Sequence, residues 1–263
     1  MTRLCSSGHN RSGRATGDKF VLRFVLLLLL VVNAPAQAAD LVVLDADTLK
    51  LGAVTYRLDG IDAPEADQVC LDKQGSTWPC GVEARDRLKG HLGTHTVTCD
   101  DLGPDKAYPR RRIGVCFRQG DATSINQWLV REGLALNFEP YAKGRFMSDQ
   151  ATAQGKGVGL WRGCFANPQD VRRWNKSVAV LLGPTCAAID DTLARAKLFP
   201  ESAAMPPGCP IKGTYAIRAR LTGHRGIYHL EGCRSYRNTT SPQRWFCSEE
   251  DAQAAEFRKA FTC

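Results

Sequence analysis

Eleven cysteines in 263 residues constrain this chain more than any other feature. One of them, Cys5, lies in a stretch that reads as an export signal. Arg3, Arg11, Arg14, Lys19 and Arg23 precede an apolar run from Phe24 to Val32, and Ala36-Gln37-Ala38 supplies the small residues of a cleavage site. Nine unbroken apolar residues are too few for a membrane span of roughly 20. Residues 1–38 are therefore expected to be a cleaved signal peptide, leaving the chain secreted or periplasmic with no stable membrane insertion. The remaining ten cysteines are an even number in an oxidising compartment, which favours disulfides. Zinc is the rival, and the sequence contains no C-x-x-C pair. Ten cysteines allow about 945 pairings. Cys70–Cys80 across one loop and Cys99–Cys116 between neighbouring strands are the expected bridges, and Cys209, Cys233, Cys247 and Cys263 are expected as paired sulfurs.

The formal charge of +8 falls once the leader goes. Its five basic residues and one acidic residue, Asp18, leave 30 basic residues facing 26 acidic ones, a net +4. That balance is compatible with a polyanionic partner without demonstrating one. Local charges must carry the argument.

Short β-branched and apolar runs predict strands at 41–44, 48–51 and 54–58, the last two joined as a hairpin through Gly52-Ala53. Residues 70–81 read as a loop. Val82, Leu88 and Leu92 share one helical face and predict a helix over 82–92. Two further strands are expected at 95–99 and 113–118. Ser124 with Gln127 forms a capping box that opens a helix reaching Gly133, and a third helix is expected over 144–154. Five strands with about three helices suit an α+β fold, an OB-fold five-stranded β-barrel over residues 40–175. Residues 176–208 carry several prolines and read as a linker, with 190–198 able to form a short helix. Residues 209–263 read as a small disulfide-rich α/β C-terminal unit, with strands at 211–214 and 226–230 and a helix over 248–261. About 55 residues is a size class that needs covalent staples.

Asp47, Asp62 and Glu65 stand within nineteen residues, with Arg57 between them and Arg110-Arg111-Arg112 further on. Carboxylates that can hold a hard cation, beside arginines that can grip phosphate, are the ingredients of metal-assisted phosphodiester hydrolysis. Parity raises one difficulty. A two-residue turn sets Thr48 opposite Arg57, so Asp47 and Arg57 point to different faces unless the chain bends at 45–47.

The run L-D-A-D-T-L-K-L-G-A-V-T-Y-R-L-D-G-I-D-A-P-E, residues 44–65, resembles the opening of the thermonuclease (staphylococcal nuclease-like) family, where D-G-D-T, then R, then D-T-P-E occur in this order. The likeness continues in Gly81-Val82-Glu83-Ala84, in the segment from Trp128 to Ala135, and in Gly159-Leu160-Trp161. The end of the chain is similar to a small module often appended to bacterial members. The resemblance implies an OB barrel with helices, and Ca2+ held by Asp47, Asp62 and the backbone carbonyl of Ala63. It implies Arg57 and Arg111 on the transition-state phosphate, with Arg110 and Arg112 as alternatives to Arg111. It implies Glu65 orienting or deprotonating the attacking water. Lys106, Tyr108 and Tyr141 are the expected substrate-binding residues, with packing on the barrel as the other reading of Tyr141.

The expected function is a nuclease that cuts DNA and RNA, single strands preferred, with little sequence specificity, leaving 3′-phosphates. A second reading is a weak or inactive nuclease-like barrel that binds nucleic acid or an envelope ligand. A third makes the C-terminal unit the main actor. His229, Cys233 and Cys247 as a zinc site is the weaker reading of that unit.

Overall fold

Gly52 takes a left-handed φ of 55° and lets the chain reverse between β2 (Thr48–Leu51) and β3 (Val54–Leu58), which pair antiparallel. The computed structural model describes residues 40–263, so the expected signal peptide, 1–38, lies outside the described residues. β1 (Leu41–Val43) flanks β2. On the other side β3 runs parallel to β5 (Arg111–Arg118), which is antiparallel to β4 (Val97–Pro104). The five-stranded ladder order is β1-β2-β3-β5-β4.

Its inner face buries Leu49 and Leu58 against Leu88 and Leu92 of α1 (Cys80–Leu92) and Leu129 and Val130 of α2 (Ile125–Arg131). Each such side chain contributes about 1.5–3 kcal/mol on burial. Ser124 caps α2, accepting from the Gln127 N–H at 3.1 Å. The Gln127 side chain does not close the expected box; it donates to Asp149 instead. In this part of the chain two short helices were not foreseen, α3 (Glu139–Ala142) and α5 (Pro168–Arg172), which flank the expected third helix, α4 (Met147–Lys156). Four or five residues are too few to show a helical period.

Residues 176–208, expected as a linker, are integrated into the fold. Leu181–Leu182 pairs with Phe165–Ala166, and α6 (Asp191–Leu198) is capped by Asp190. Ala194, Leu198 and Phe199 join Leu71, Ala166 and Val171 in a second core. In the last part, β6 (Ile211–Tyr215), β7 (Gly226–His229), β8 (Arg244–Phe246) and β9 (Phe257–Lys259) form a sheet of order β8-β6-β7-β9. Three short helices accompany it, α7 (Ile217–Arg220), α8 (Arg234–Asn238) and α9 (Glu249–Ala254). The helix expected over 248–261 stops after Ala254. Glu256 adopts a left-handed φ of 63°, and the chain leaves as β9, parallel to β7. Pairing with a sheet edge outweighs local helix propensity there.

All ten cysteines of the described residues are bridged: Cys70–Cys80, Cys99–Cys116, Cys164–Cys186, Cys209–Cys247 and Cys233–Cys263. Cys233 and Cys247 are thus committed to sulfur, and His229 is left without the zinc partners considered for it. No helix among the described residues is long and apolar enough to cross a membrane.

Candidate active site

Thr48 pairs with Arg57 in the hairpin register, so strand parity alone would separate Asp47 from Arg57. Residues 45–47 bend instead. The Asp47 N–H donates to Asp45 Oδ1 at 2.9 Å, a local turn that replaces the ladder. The bend turns Asp47 toward Arg57. Arg57 Nη1 then lies 2.5 Å from Asp47 Oδ1, and its Nη2 3.0 Å from Asp62 Oδ1. Asp62 is fixed by the short pairing of Ile61–Asp62 with Leu136–Asn137. The next residue, Ala63, donates its N–H to Asp47 Oδ2 at 3.1 Å.

Glu65 is held from two sides. Its N–H donates to Gln68 Oε1 at 3.2 Å, and the Gln68 N–H returns to the Glu65 carbonyl at 2.8 Å. Gly81, near the start of α1, packs onto this turn, where a Cβ would stand only 1.9 Å from the Glu65 carbonyl oxygen. No other residue type fits there without moving the helix.

Three groups that the sequence reading missed complete the cluster. Arg172, the last residue of α5, places Nη2 2.7 Å from both Asp62 Oδ1 and Glu65 Oε1. Arg244 of β8 is fully buried and forks onto Asp67, with Nε–Oδ2 2.7 Å and Nη2–Oδ1 2.9 Å. It also stands 3.9 Å from Glu65 Oε2. Asp251 of α9 is coupled to the cluster by charge: burial and then the Asp47 carboxylate raise its pKa, and Asp251 in turn helps raise that of Asp45. For Arg172 and Arg244 no local motif gave a signal. Asp45 was visible inside L-D-A-D but carried no expected role.

The electrostatics follow from this crowding. Burial, reinforced by Asp62 and Asp47, pushes the Glu65 carboxyl up to about 7 against the pull of Arg172 and Arg244. Burial and then Asp47 and Asp251 push Asp45 well above the usual carboxylate range, and burial also raises Asp251. Burial opposes ionisation of Asp47 as well, but Arg57 and Arg172 outweigh it and hold that group low.

Beside the cluster is a cleft of about 550 Å³ lined by Arg57, Lys106, Tyr108, Arg111, Tyr141 and Arg172, among others. The substrate-side residues expected from the sequence are therefore gathered on one surface. Tyr141 is 66% exposed, which favours the platform over the packing role considered for it. Arg111 is buried and directs both Nε and Nη2 to Asp105 Oδ2, at 3.0 and 2.7 Å, with its guanidinium 4.7 Å from the Tyr108 ring centroid. Arg110 reaches Glu250 of α9 at 3.0 Å, and Arg112 pairs with Asp101. Of the three consecutive arginines only Arg111 lines the cleft. Asp47, Asp62, Ala63 and Glu65 do not line it. All four are largely buried, and the three carboxylates are held by the guanidinium groups of Arg57 and Arg172.

No group of three or more His, Cys, Asp or Glu side chains among the described residues is arranged to hold a metal by itself. The expected set of two carboxylates and a backbone carbonyl does fit a hard, largely hydrated cation in kind. It also fits in charge. Asp45, Glu65 and Asp251 are all raised by burial and, beyond it, by the nearby Asp47 carboxylate, a repulsion that a cation nearby would relieve.

Residues 55–163 match the Staphylococcal nuclease homologue family. The chain is 35% identical over 143 residues to the Succinoglycan biosynthesis protein ExoI of Rhizobium meliloti (strain 1021), covering 52% of this chain and 73% of that protein. It is 30% identical over 128 residues to an Uncharacterized endonuclease of Escherichia coli O157:H7, covering 45% and 75%. It is 26% identical over 168 residues to an Uncharacterized endonuclease of Haemophilus influenzae, covering 60% and 85%. The chain belongs to the staphylococcal nuclease-like family, whose domain implies an OB-fold. The family match begins after Asp47 and ends before Arg172, so both lie outside it.

Proposed function

We propose that the protein is a calcium-dependent nuclease, exported by its N-terminal signal, that hydrolyses DNA and RNA with little sequence preference. One observation carries this reading. Arg57 grips Asp47 and Asp62 while lining the same cleft as Lys106, Tyr108, Arg111 and Tyr141. Acid cluster and phosphate-binding surface therefore meet at one guanidinium. Asp47, Asp62 and the Ala63 carbonyl are the groups that would hold the ion, which when bound supplies Lewis-acid charge to a phosphoryl oxygen. Arg57 and Arg111 present planar donors to the equatorial oxygens, where charge develops. Glu65, poised near neutrality, is matched to accept a proton from the attacking water. Lys106 draws the backbone in, and Tyr108 and Tyr141 offer stacking faces that suit unpaired bases. Cleavage of the P–O5′ bond, leaving 3′-phosphates, is the outcome this family resemblance implies.

A second reading makes the barrel a nucleic-acid or envelope binding module. The burial of the carboxylates behind Arg57 and Arg172 favours it. Digestion of single-stranded DNA with and without a calcium chelator decides between them. The nuclease reading expects cleavage abolished by chelator, and Arg57→Ala slower by about two decades. Undiminished cleavage by Arg57→Ala would refute the assignment, and no cleavage with any divalent ion would leave the binding module.

A further inference from the structure

A second cavity, of about 680 Å³, opens where α5 ends and the C-terminal unit begins. Arg173 lines both this cavity and the cleft of the candidate active site, so the two meet at one residue. The walls of the second cavity carry Arg220, His224 and Arg225 against a single carboxylate, Glu256. Arg225 is already spent: it pairs with Glu256 at 2.6 Å and donates to the Arg173 carbonyl at 2.7 Å. Arg173 and Arg220 are exposed and form no ion pair or side-chain hydrogen bond among the described residues. They are cations directed at solvent in a concave surface.

The same cavity has an aromatic and apolar lining. Trp174 and Tyr215 stand with ring centroids 6.1 Å apart, and Ile217 of α7 is 83% exposed. Trp174 takes a φ of 50°, a conformation that bulky L residues rarely adopt. It is kept there by edge contact with Phe199 and by the Arg244 guanidinium 5.1 Å from its ring. The link to the catalytic cluster is thus direct, because Arg244 also approaches Glu65.

Unpaired cations beside flat side chains are how single-stranded nucleic acid is held without base reading. We infer that this cavity is a second subsite for the substrate strand, which passes from the active-site cleft over Arg173 to bind Arg220 and the Trp174 face. The inference rests on the nuclease reading for its substrate. It gives the C-terminal unit a function: the unit lengthens the footprint on a strand and favours long single-stranded substrates over short ones.

The test uses the full chain in chelator, so that nothing is cut, with fluorescent single-stranded oligonucleotides of about 4 and about 16 nucleotides, the span of one such binding surface. Arg220→Ala is expected to weaken binding of the long oligonucleotide on the order of tenfold. Its salt slope should fall by about 0.7, one single-strand phosphate contact, while the short one moves less than twofold. Trp174→Phe should remove the tryptophan quenching that the long oligonucleotide causes. Equal losses for both lengths, or none, would overturn the subsite. So would displacement of the long oligonucleotide by poly-glutamate of equal charge, which would indicate a site for an acidic protein. Restoring calcium separates the two ideas. Absence of cleavage with the Arg220 effect intact sinks only the nuclease reading, whereas cleavage without that effect sinks only the subsite.

Discussion

Glu65 shows how one residue type acquires a function from its surroundings. An exposed glutamate is ionised well below neutrality; here burial, reinforced by Asp62 and Asp47, brings the group up to about 7 against the pull of Arg172 and Arg244. A raised acid binds its proton more tightly when folded, so its stabilisation is present below about pH 4.5 and is lost as pH rises through about 7. Asp45 and Asp251 shift the same way. In chelator, the melting temperature should therefore fall between pH 5 and pH 8, and Glu65→Gln should flatten that fall. Added calcium should raise the melting temperature more at pH 8 than at pH 5. Equal stabilisation at both pH values would argue against an ion in this cluster. Asp47 and Arg57 teach a related lesson. Their pairing depends on a bend at 45–47 that strand alternation argued against and that only the parity conflict suggested.

At the scale of elements, the β2–β3 hairpin, α1 and α2 were legible because period and turn chemistry are local signals. α5 was not, and it delivers Arg172. β8 was not either, and it delivers Arg244 to Asp67, 177 positions away in sequence. That pair is buried and further tied by the Trp245 N–H, which donates to Asp67 Oδ2 at 2.9 Å. Removing one partner leaves a buried charge uncompensated, which costs about 3–5 kcal/mol. Arg244→Ala is expected to lower stability by that amount in urea unfolding. The double variant with Asp67→Ala should lose less than the two single losses combined. Additive losses would show that the two groups do not act together.

At the scale of the whole molecule, the C-terminal unit is part of the site's construction. Arg85 of α1 donates to the Pro207 carbonyl at 2.6 Å, and Trp245 Nε1 to the Ala203 carbonyl at 2.9 Å. Ala254 of α9 lines the active-site cleft. Ending the chain after Asn175 would strip Arg244 from Asp67 and Cys186 from Cys164. Such a protein should melt lower and turn over single-stranded DNA more slowly than the full chain. Full turnover by the truncated form would make the unit accessory.

The sequence by itself determined the family, the five principal strands, the Cys70–Cys80 and Cys99–Cys116 bridges and five of the residues around the cleft, Arg57, Lys106, Tyr108, Arg111 and Tyr141, because each is carried by a local motif or spacing. Only the tertiary structure decided that Asp47 and Asp62 share one guanidinium, that Arg172, Arg244 and Asp251 belong to their cluster, and that residues 176–208 pack into a core through Ala179, Ala194, Leu198 and Phe199. Contacts between groups a hundred or more positions apart leave no period in a single chain. Burial, which raises Asp45, Glu65 and Asp251, exists only once the chain has folded.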